Sequence, residues 1–250
     1  MEELKLSKYK HYYLTSESVT EGHPDKVCDY ISDSILDECL KQDENSRVTV
    51  ETMISKDKVS ISGQITSNAK IDIESIVREK LKEVGYTDKE TSMDYRTCSI
   101  DINITKQSND IAMGVYDGGA GDQGIMFGYA SYDTEEYMPF AISLAHKLSK
   151  RLSEVRKAGI IPYLGPDGKT QVTVEYEGEI PKRIESILIS NQHAEDVMLE
   201  KVREDIIENV VKVVVPKEYL DKNTKYYINP TGRFVIRWTT WRYRTYAVGK

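Results

Sequence analysis

The sequence predicts an α+β protein built from two similar units, each a β-sheet with helices on one face. Hydrophobic residues recur at helical spacing in some segments and alternate with polar residues in others. The tetrapeptide Val-Thr-Val-Glu occurs at 48–51 and again at 172–175, each time one strand after a predicted helix. Because the order of elements around the two copies is also the same, the sequence indicates an internal repeat.

The first unit begins with a helix at Pro24, since proline is favoured in the first turn of a helix, where its missing N–H would have no partner. Two alternating runs on either side of the turn at Lys56-Asp57 predict a β-hairpin. Gly85 is placed to end a second helix. The predicted elements are a helix at 24–41, strands at 47–55 and 58–66, a helix at 71–84 and a strand at 97–105.

The second unit repeats this order. Its predicted elements are a helix at 139–157, strands at 170–177 and 182–190, and a helix at 195–211. Between the units lies a glycine-rich loop, followed by a hydrophobic run at 125–129 that resembles a strand. We predict an N-terminal domain at 1–110, a linking loop at 111–121, a central domain at 122–236 and an atypical tail at 237–250.

The composition of the 250-residue chain disfavours several classes of protein. The net charge of −7 is spread without an acidic or basic block, which argues against nucleic-acid binding. No apolar run approaches about 18 residues, and the N-terminus has no hydrophobic signal core, so we expect no membrane span and a cytoplasmic location. The three cysteines form no CxxC pair, and we expect them to be buried and reduced.

The stretch EGHPDK at 21–26 has two interpretations. It can simply start a helix, in which case Asp25 complements the helix dipole and His23 is incidental. It can also bind a polyphosphate, because a helix N-terminus attracts phosphate, Lys26 adds a cation, and Asp25 can bind Mg²⁺ with waters and phosphate oxygens.

Three other stretches are ambiguous when taken alone. Gly119, Gly121 and Gly124 have the spacing of a dinucleotide fingerprint, but no strand–helix unit surrounds them, so we favour a glycine-rich loop over a nicotinamide or flavin site. GPDGKTQ at 165–171 is typical of a β-turn, and NPTGRF at 229–234 is typical of a turn that enters a strand.

Together these stretches resemble the S-adenosylmethionine synthetase (methionine adenosyltransferase) family over about residues 11–236. The family pattern appears, in order, as SESVTEGHPDKVCDYISD, VTVET, DGGAGDQGIMFGYA, PDGKTQVTVEY, SNQHAED and INPTGRFVI. The resemblance implies an enzyme that joins the sulfur of methionine to C5′ of ATP, expels triphosphate and hydrolyses it to pyrophosphate and phosphate. It also implies Mg²⁺ and K⁺, three similar α+β domains of which this sequence has two, and a homodimer or homotetramer.

The resemblance also implies a role for individual residues. Because the leaving group carries several negative charges, catalysis would depend on electrostatic stabilisation. The loop between Gln107 and Gly121 would be a gate over the site, consistent with its glycines. The implied residues are His23, Lys26 and Lys169 for catalysis; His23, Asp167, Lys169, Arg233 and Phe234 for ATP; Gln64, Gln107 and Asp122 for methionine; Asp25 for Mg²⁺; and Glu51 for K⁺.

Three internal positions depart from the family pattern. Gln64 stands where the family normally has a glutamate that binds the methionine ammonium, so we expect weaker methionine binding. Asn109 replaces the usual proline and should loosen the gate, and Gly165 replaces the usual arginine.

The largest departure is the tail, which reads RWTTWRYRTYAVGK and contains both tryptophans of the chain. One back-translation of residues 237–246 is AGG TGG ACC ACA TGG AGA TAC AGG ACT TAC. Without its first base it reads Gly-Gly-Pro-His-Gly-Asp-Thr-Gly-Leu-Thr, which is the continuation expected of the family. We infer a frameshift near codon 237, genuine or a sequencing error, and expect the aromatic and basic residues of the tail to form no nucleic-acid site.

This departure removes the family's next aspartate, its Arg-Lys pair and the lysines of its third domain. We therefore expect the chain to be impaired or inactive as an enzyme and prone to aggregate through uncovered apolar surface. Two alternatives to an enzyme stay open: a non-catalytic subunit that associates with full-length chains, and an inactive fragment. Co-purification with a full-length chain would favour the subunit.

Overall fold

A computed structural model describes residues 10–88, 93–106 and 124–235 and the backbone of residues 246–249. The described chain forms two compact units. One contains the residues up to His23 together with Gly128–Val235, and the other contains the described parts of Pro24–Phe127 and of the tail. The predicted α+β class is confirmed.

The helices and strands follow one another along the chain much as predicted. They are β1 (His11–Val19), α1 (Pro24–Gln42), β2 (Arg47–Ser55), β3 (Lys58–Thr66), α2 (Ile73–Val84), β4 (Thr87–Asp88), β5 (Met93–Asp94), β6 (Ser99–Thr105), α3 (Phe140–Lys157), β7 (Leu164–Glu177), β8 (Ile180–His193), α4 (Leu199–Ile206), β9 (Lys225–Ile228) and β10 (Tyr246–Gly249). A π-helical turn at Ile207–Val211 continues α4 into a short helical segment at Lys212–Val214.

The unit that contains Pro24–Phe127 has a sheet with the strand order β10-β2-β3-β6. Strands β2 and β3 form the predicted hairpin, β6 joins β3 in parallel, and the backbone of β10 pairs antiparallel with β2. Hydrophobic residues of β2 and β3 form one core with residues of α1 and α2, including Ile31 and Leu81. Gly85 ends α2 as predicted, with φ of 109° and an N–H that donates to the carbonyl of Leu81.

The other unit has a sheet with the strand order β1-β7-β8-β9. Strand β1 pairs antiparallel with β7, and β9 pairs in parallel with β8. Helix α3 packs on this sheet, and its residues Leu144 and Leu148 lie in the core beside Val172 and Ile187. The sequence analysis did not predict β1. Its pairing places residues 10–23 in the same compact unit as residues 128–235, which differs from the predicted domain at 1–110.

The predicted strand at 125–129 is wrong. Residues 124–130 adopt neither helix nor strand, and the side chain of Phe127 is 90% exposed. A hydrophobic run becomes a strand only when another strand pairs with its backbone, and no strand of the described residues pairs with this segment. The three cysteines are buried, as expected.

Candidate active site

The first residues of β7 lie against the chain that leaves β1. In the β1–β7 register Val19 is opposite Lys169, and the N–H of Thr20 donates to the carbonyl of Gly168 at 2.9 Å. The Thr20 hydroxyl donates to the carbonyl of Pro166 at 2.7 Å, and its side chain is buried. The turn predicted for GPDGKTQ at 165–171 is wrong. These residues begin strand β7, because β8 and the chain after β1 hydrogen-bond to their backbone, and the register with β8 shifts between Leu164 and Gly168. Hydrogen bonds thus attach the PDGK segment of β7 to the residues that precede His23.

Gly22 allows these two segments to approach closely. A Cβ at position 22 would lie 2.4 Å from the carbonyl oxygen of Pro166, a distance that real Cβ atoms do not show. The N–H of His23 donates to the carbonyl of Thr20 at 3.0 Å and closes a tight turn. Glycine at position 22 thus allows the backbone before His23 to lie close to the PDGK segment of β7.

Glu21, the first residue of the EGHPDK stretch, fixes this turn to helix α3. Its carboxylate accepts from Arg156 and from Lys157, both at 2.7 Å, and these two residues lie in the last turn of α3. The side chain of Arg156 is only 13% exposed, so this pair is better shielded from solvent than an ordinary surface ion pair. The sequence analysis missed Glu21 because an isolated acidic residue gives no signal of a partner 135 residues away.

The NPTGRF stretch is joined to the end of β8 by a reciprocal pair of asparagines. The side chain of Asn229 accepts from the N–H of Asn191 at 2.8 Å and donates to its carbonyl at 3.0 Å. Asn229 has φ of 44°, a left-handed conformation that asparagine tolerates better than most residues. The N–H of Gly232 donates to the carbonyl of Asn229 at 2.9 Å, so residues 229–232 form the predicted turn. The strand predicted to follow it is not present at residues 233–235.

The ATP residues implied by the resemblance lie on these connected segments of one unit. Asp167 is 1% exposed, and Phe234 is half-buried next to the end of β8. The ammonium of Lys169 lies 2.7 Å from the carboxylate of Glu17. The guanidinium of Arg233 forms an ion pair with Glu195. The two predicted cations are therefore both paired with exposed carboxylates, which an anionic ligand could replace.

Asp25 and Lys26 lie in the first turn of α1, which begins at Pro24 as predicted. Lys26 is exposed and Asp25 is half-buried. Burial, together with the nearby carboxylates of Asp33 and Asp25, raises the pKa of Asp29 one turn further along the helix. The start of α1 therefore presents acidic groups that a cation would stabilise.

Glu51 and Gln64 lie on the face of their sheet that is turned away from the core. In the β2–β3 register Glu51 is opposite Ser62, and Gln64 is opposite Thr49, so the two side chains are diagonal neighbours. One carboxylate oxygen of Glu51 is buried and has no hydrogen-bond partner among the described residues. Burial raises the pKa of this carboxyl. A bound cation would compensate a buried carboxylate of this kind.

The remaining predicted site residues cannot be placed. Gln107 and Asp122, together with Asn109 and the predicted gate, lie outside the described residues. Within the described ranges, no group of three or more histidine, cysteine, aspartate or glutamate side chains is arranged to bind a metal. No helix in the described parts of the chain is both long enough and apolar enough to cross a membrane.

Comparison with known proteins gives consistent matches. A family model for the N-terminal domain of S-adenosylmethionine synthetase matches residues 11–109, and a model for its central domain matches residues 117–234. The S-adenosylmethionine synthase of Clostridium tetani is 54% identical over 236 residues, which are 89% of this chain and 60% of that protein. The protein of the same name from Brachyspira hyodysenteriae is 50% identical over 244 residues, which are 92% of this chain and 62% of that protein. The chain thus spans about 60% of the length of these relatives.

Proposed function

Because the chain belongs to the S-adenosylmethionine synthetase family and has its N-terminal and central domains, we propose that it functions in the methionine adenosyltransferase reaction. In this reaction ATP and L-methionine form S-adenosylmethionine, and the released triphosphate is hydrolysed to pyrophosphate and phosphate. A cytoplasmic location and assembly into a homodimer or homotetramer are further parts of the proposal.

One observation supports a nucleotide site above all. Hydrogen bonds join the residues before His23 to the PDGK segment of β7, and the end of β8 to the NPTGRF turn, all within one compact unit. Asn191, at the end of β8, connects these two pairs of segments, since its side chain donates to the carbonyl of Gly165, next to PDGK, at 3.1 Å. Motifs that are up to about 200 residues apart in sequence therefore meet at one end of one sheet.

In this proposal the charged residues of the unit bind the triphosphate. Lys169 and Arg233 exchange their present partners, Glu17 and Glu195, for phosphate oxygens. His23 donates to an oxygen near C5′, where negative charge develops as the carbon–oxygen bond breaks. A well-placed donor of this kind typically lowers the barrier by about 2.7–4 kcal/mol. Phe234 and Asp167 contact the nucleoside.

The metal ions belong to the proposal as well. Glu51 fits K⁺, because its buried carboxylate oxygen lacks a hydrogen-bond partner among the described residues. Asp25 fits Mg²⁺ only together with phosphate oxygens and water, which is how proteins commonly bind this ion. When bound, the cations neutralise negative charge on the phosphates and on the protein. Lys26 adds a further positive charge in the first turn of the same helix as Asp25.

Methionine binding would depend on Gln64, Gln107 and Asp122, with Asp122 accepting from the ammonium. Gln64 can hydrogen-bond to methionine but offers no negative charge, so we propose that this chain binds methionine more weakly than a relative with glutamate there. We also propose slower turnover than in such a relative, because the sequence of residues 237–250 departs from the family pattern.

The proposal is tested by calorimetric titration of the 250-residue chain with Mg·ATP and by mass-spectrometric detection of S-adenosylmethionine after incubation with ATP, methionine, Mg²⁺ and K⁺. We expect saturable ATP binding and turnover slower than that of the Clostridium tetani enzyme. Lys169→Met should weaken ATP binding and slow turnover. Lys182→Met is the matched control, because Lys182 forms a similar exposed ion pair, with Glu177, on the same sheet.

Three results would separate the interpretations. If the chain neither binds ATP nor forms product, the proposed function is wrong. If its turnover equals that of the relative, the proposed impairment is wrong. ATP binding without any turnover would favour the non-catalytic subunit over the enzyme.

A further inference from the structure

The SNQH stretch at 190–193 has no role in the proposed chemistry, yet three of its four residues are almost completely buried polar residues. Asn191 is 1% exposed, Gln192 0% and His193 3%. A buried polar side chain is costly unless its hydrogen bonds are made, so the partners of these residues indicate what they do. The partners of His193 and Gln192 include the backbone of residues 234 and 235.

His193 binds both backbone groups of Phe234. The N–H of His193 donates to the carbonyl of Phe234 at 2.9 Å, and the N–H of Phe234 donates to Nε2 of the His193 ring at 3.2 Å. On the other side of the ring, Nδ1 lies 2.8 Å from the carbonyl oxygen of Ala194. His193 thus hydrogen-bonds to both the N–H and the carbonyl of Phe234 and fixes the position of its backbone.

These contacts determine the tautomer of the histidine. A backbone carbonyl can only accept, so Nδ1 must have the hydrogen and donate to Ala194. A backbone N–H can only donate, so Nε2 must be without hydrogen and accept from Phe234. Only the neutral ring with its hydrogen on Nδ1 satisfies both contacts.

Gln192 extends the same arrangement by one residue. Its side-chain amide donates to the carbonyl of Val235 at 3.1 Å. The oxygen of the same amide lies over Gly165, where an added Cβ would be 2.6 Å from Oε1 of Gln192. The absence of a side chain at position 165, where the family usually has arginine, therefore leaves room for the conformation in which Gln192 contacts Val235.

We infer that His193 is a positioning residue: in its neutral tautomer with hydrogen on Nδ1, it fixes the backbone of Phe234 and so orients the adjacent Arg233 and the Phe234 ring toward the nucleotide. This inference rests on the proposed function for the identity of the ligand. The hydrogen-bond arrangement itself does not depend on that function.

Two substitutions separate the two contacts of the ring. His193→Gln places an amide group near the position of Nε2, where its oxygen can accept from Phe234. His193→Asn places an amide group near the position of Nδ1, where it can donate to Ala194 but leaves the N–H of Phe234 without its acceptor. If His193 only filled space in the core, both substitutions would disturb the Phe234 amide. Glutamine would then preserve its hydrogen bond no better than asparagine.

The experiment has a part that needs no variant. In ¹⁵N NMR spectra of the unsubstituted chain, the resonance typical of a nitrogen without hydrogen should belong to Nε2 of His193, and the one typical of a protonated nitrogen to Nδ1. Amide hydrogen exchange of Phe234 should be slow in the unsubstituted chain and in His193→Gln, and at least several-fold faster in His193→Asn. A ring with hydrogen on Nε2, or equal exchange in the two variants, would overturn the inference.

The affinity for Mg·ATP then tests the consequence for the site. His193→Asn should weaken it by about three- to tenfold, the effect of losing one hydrogen bond, while His193→Gln should stay closer to the unsubstituted chain. Equal affinities in the two variants would contradict a positioning role. Failure of the unsubstituted chain to bind ATP would instead contradict the proposed function, and the tautomer and exchange measurements would still decide the arrangement at Phe234.

Discussion

Replacing Gly22 with alanine tests the close approach between the turn at residues 20–23 and the PDGK segment of β7. The added Cβ would lie 2.4 Å from the carbonyl oxygen of Pro166 and 2.5 Å from its Cβ. To reach 3.0 Å, the shortest distance that Cβ atoms ordinarily show, the two backbones must separate by about 0.6 Å. The Pro166 carbonyl cannot move freely, because the buried hydroxyl of Thr20 donates to it.

The expected cost follows from this geometry. Forcing extra atoms into a packed region typically costs about 1–3 kcal/mol, and here the contact is with backbone, which yields less easily than the end of a flexible side chain. We therefore expect the free energy of unfolding of Gly22→Ala to fall by about 2 kcal/mol. The displacement would also move His23, whose N–H donates to the carbonyl of Thr20, so affinity for Mg·ATP should fall as well.

Urea unfolding followed by circular dichroism measures the first effect, and calorimetric titration measures the second. Gly128→Ala is the matched control, since a Cβ there would meet no atom of the described residues within 4 Å. If Gly22→Ala is as stable as Gly128→Ala and binds ATP equally well, then the close approach at Pro166 is not needed and the reasoning is wrong.

Three further predictions concern single side chains. Thr20→Val should lower the free energy of unfolding by about 1–3 kcal/mol, because the carbonyl of Pro166 loses the hydroxyl that donates to it. Thr20→Ser keeps this hydroxyl and should not lose this contribution. Urea unfolding of the two variants measures the difference. Burial raises the pKa of Glu51 in the folded state above its value in the unfolded chain, which is about 4.3. The protonated carboxyl therefore contributes stability at pH values below the unfolded pKa, and this stability is lost as the pH rises through the folded pKa. Glu51→Gln should therefore be more stable than the unsubstituted chain at pH 7 without K⁺. Adding K⁺ should raise the unfolding temperature of the unsubstituted chain only. Thermal unfolding with and without K⁺ measures this, and an equal response of both chains would contradict it. Gln64→Glu should raise the affinity for methionine about tenfold, the scale of a hydrogen bond to a charged group, and an unchanged calorimetric affinity would refute the assigned role.

Local patterns were sufficient to predict most of the elements. The hairpin of β2 and β3 was predicted because one face is buried and the other is not, so Val48, Val50 and Ile54 alternate with less buried residues. Helix α1 was predicted from Pro24 and the helical spacing after it. These signals depend on neighbours within about ten residues, which the sequence displays directly.

Features that depend on distant partners could not be predicted in this way. Strand β1 is an edge strand, and most of its side chains are exposed or half-buried, so its sequence HYYLTSESV has no clear hydrophobic alternation. The ion pair between Glu21 and Arg156, and the contact between His193 and Phe234, likewise arise only when the sheet is assembled. Of the candidate site, the motifs could be predicted from the sequence, but the hydrogen bonds that join them could not.

The central claim is that residues 20–23 and the PDGK and NPTGRF segments, all in one compact unit, bind a nucleotide. Titration of the ¹⁵N-labelled chain with the Mg²⁺ complex of a non-hydrolysable ATP analogue, followed through backbone amide resonances, tests it most directly. We predict saturable shifts concentrated at residues 20–23, 167–169 and 231–234, with little change at the exposed end of the β7–β8 hairpin near Gly178. Saturation without shifts at these three segments, or no saturable shifts at all, would contradict the claim.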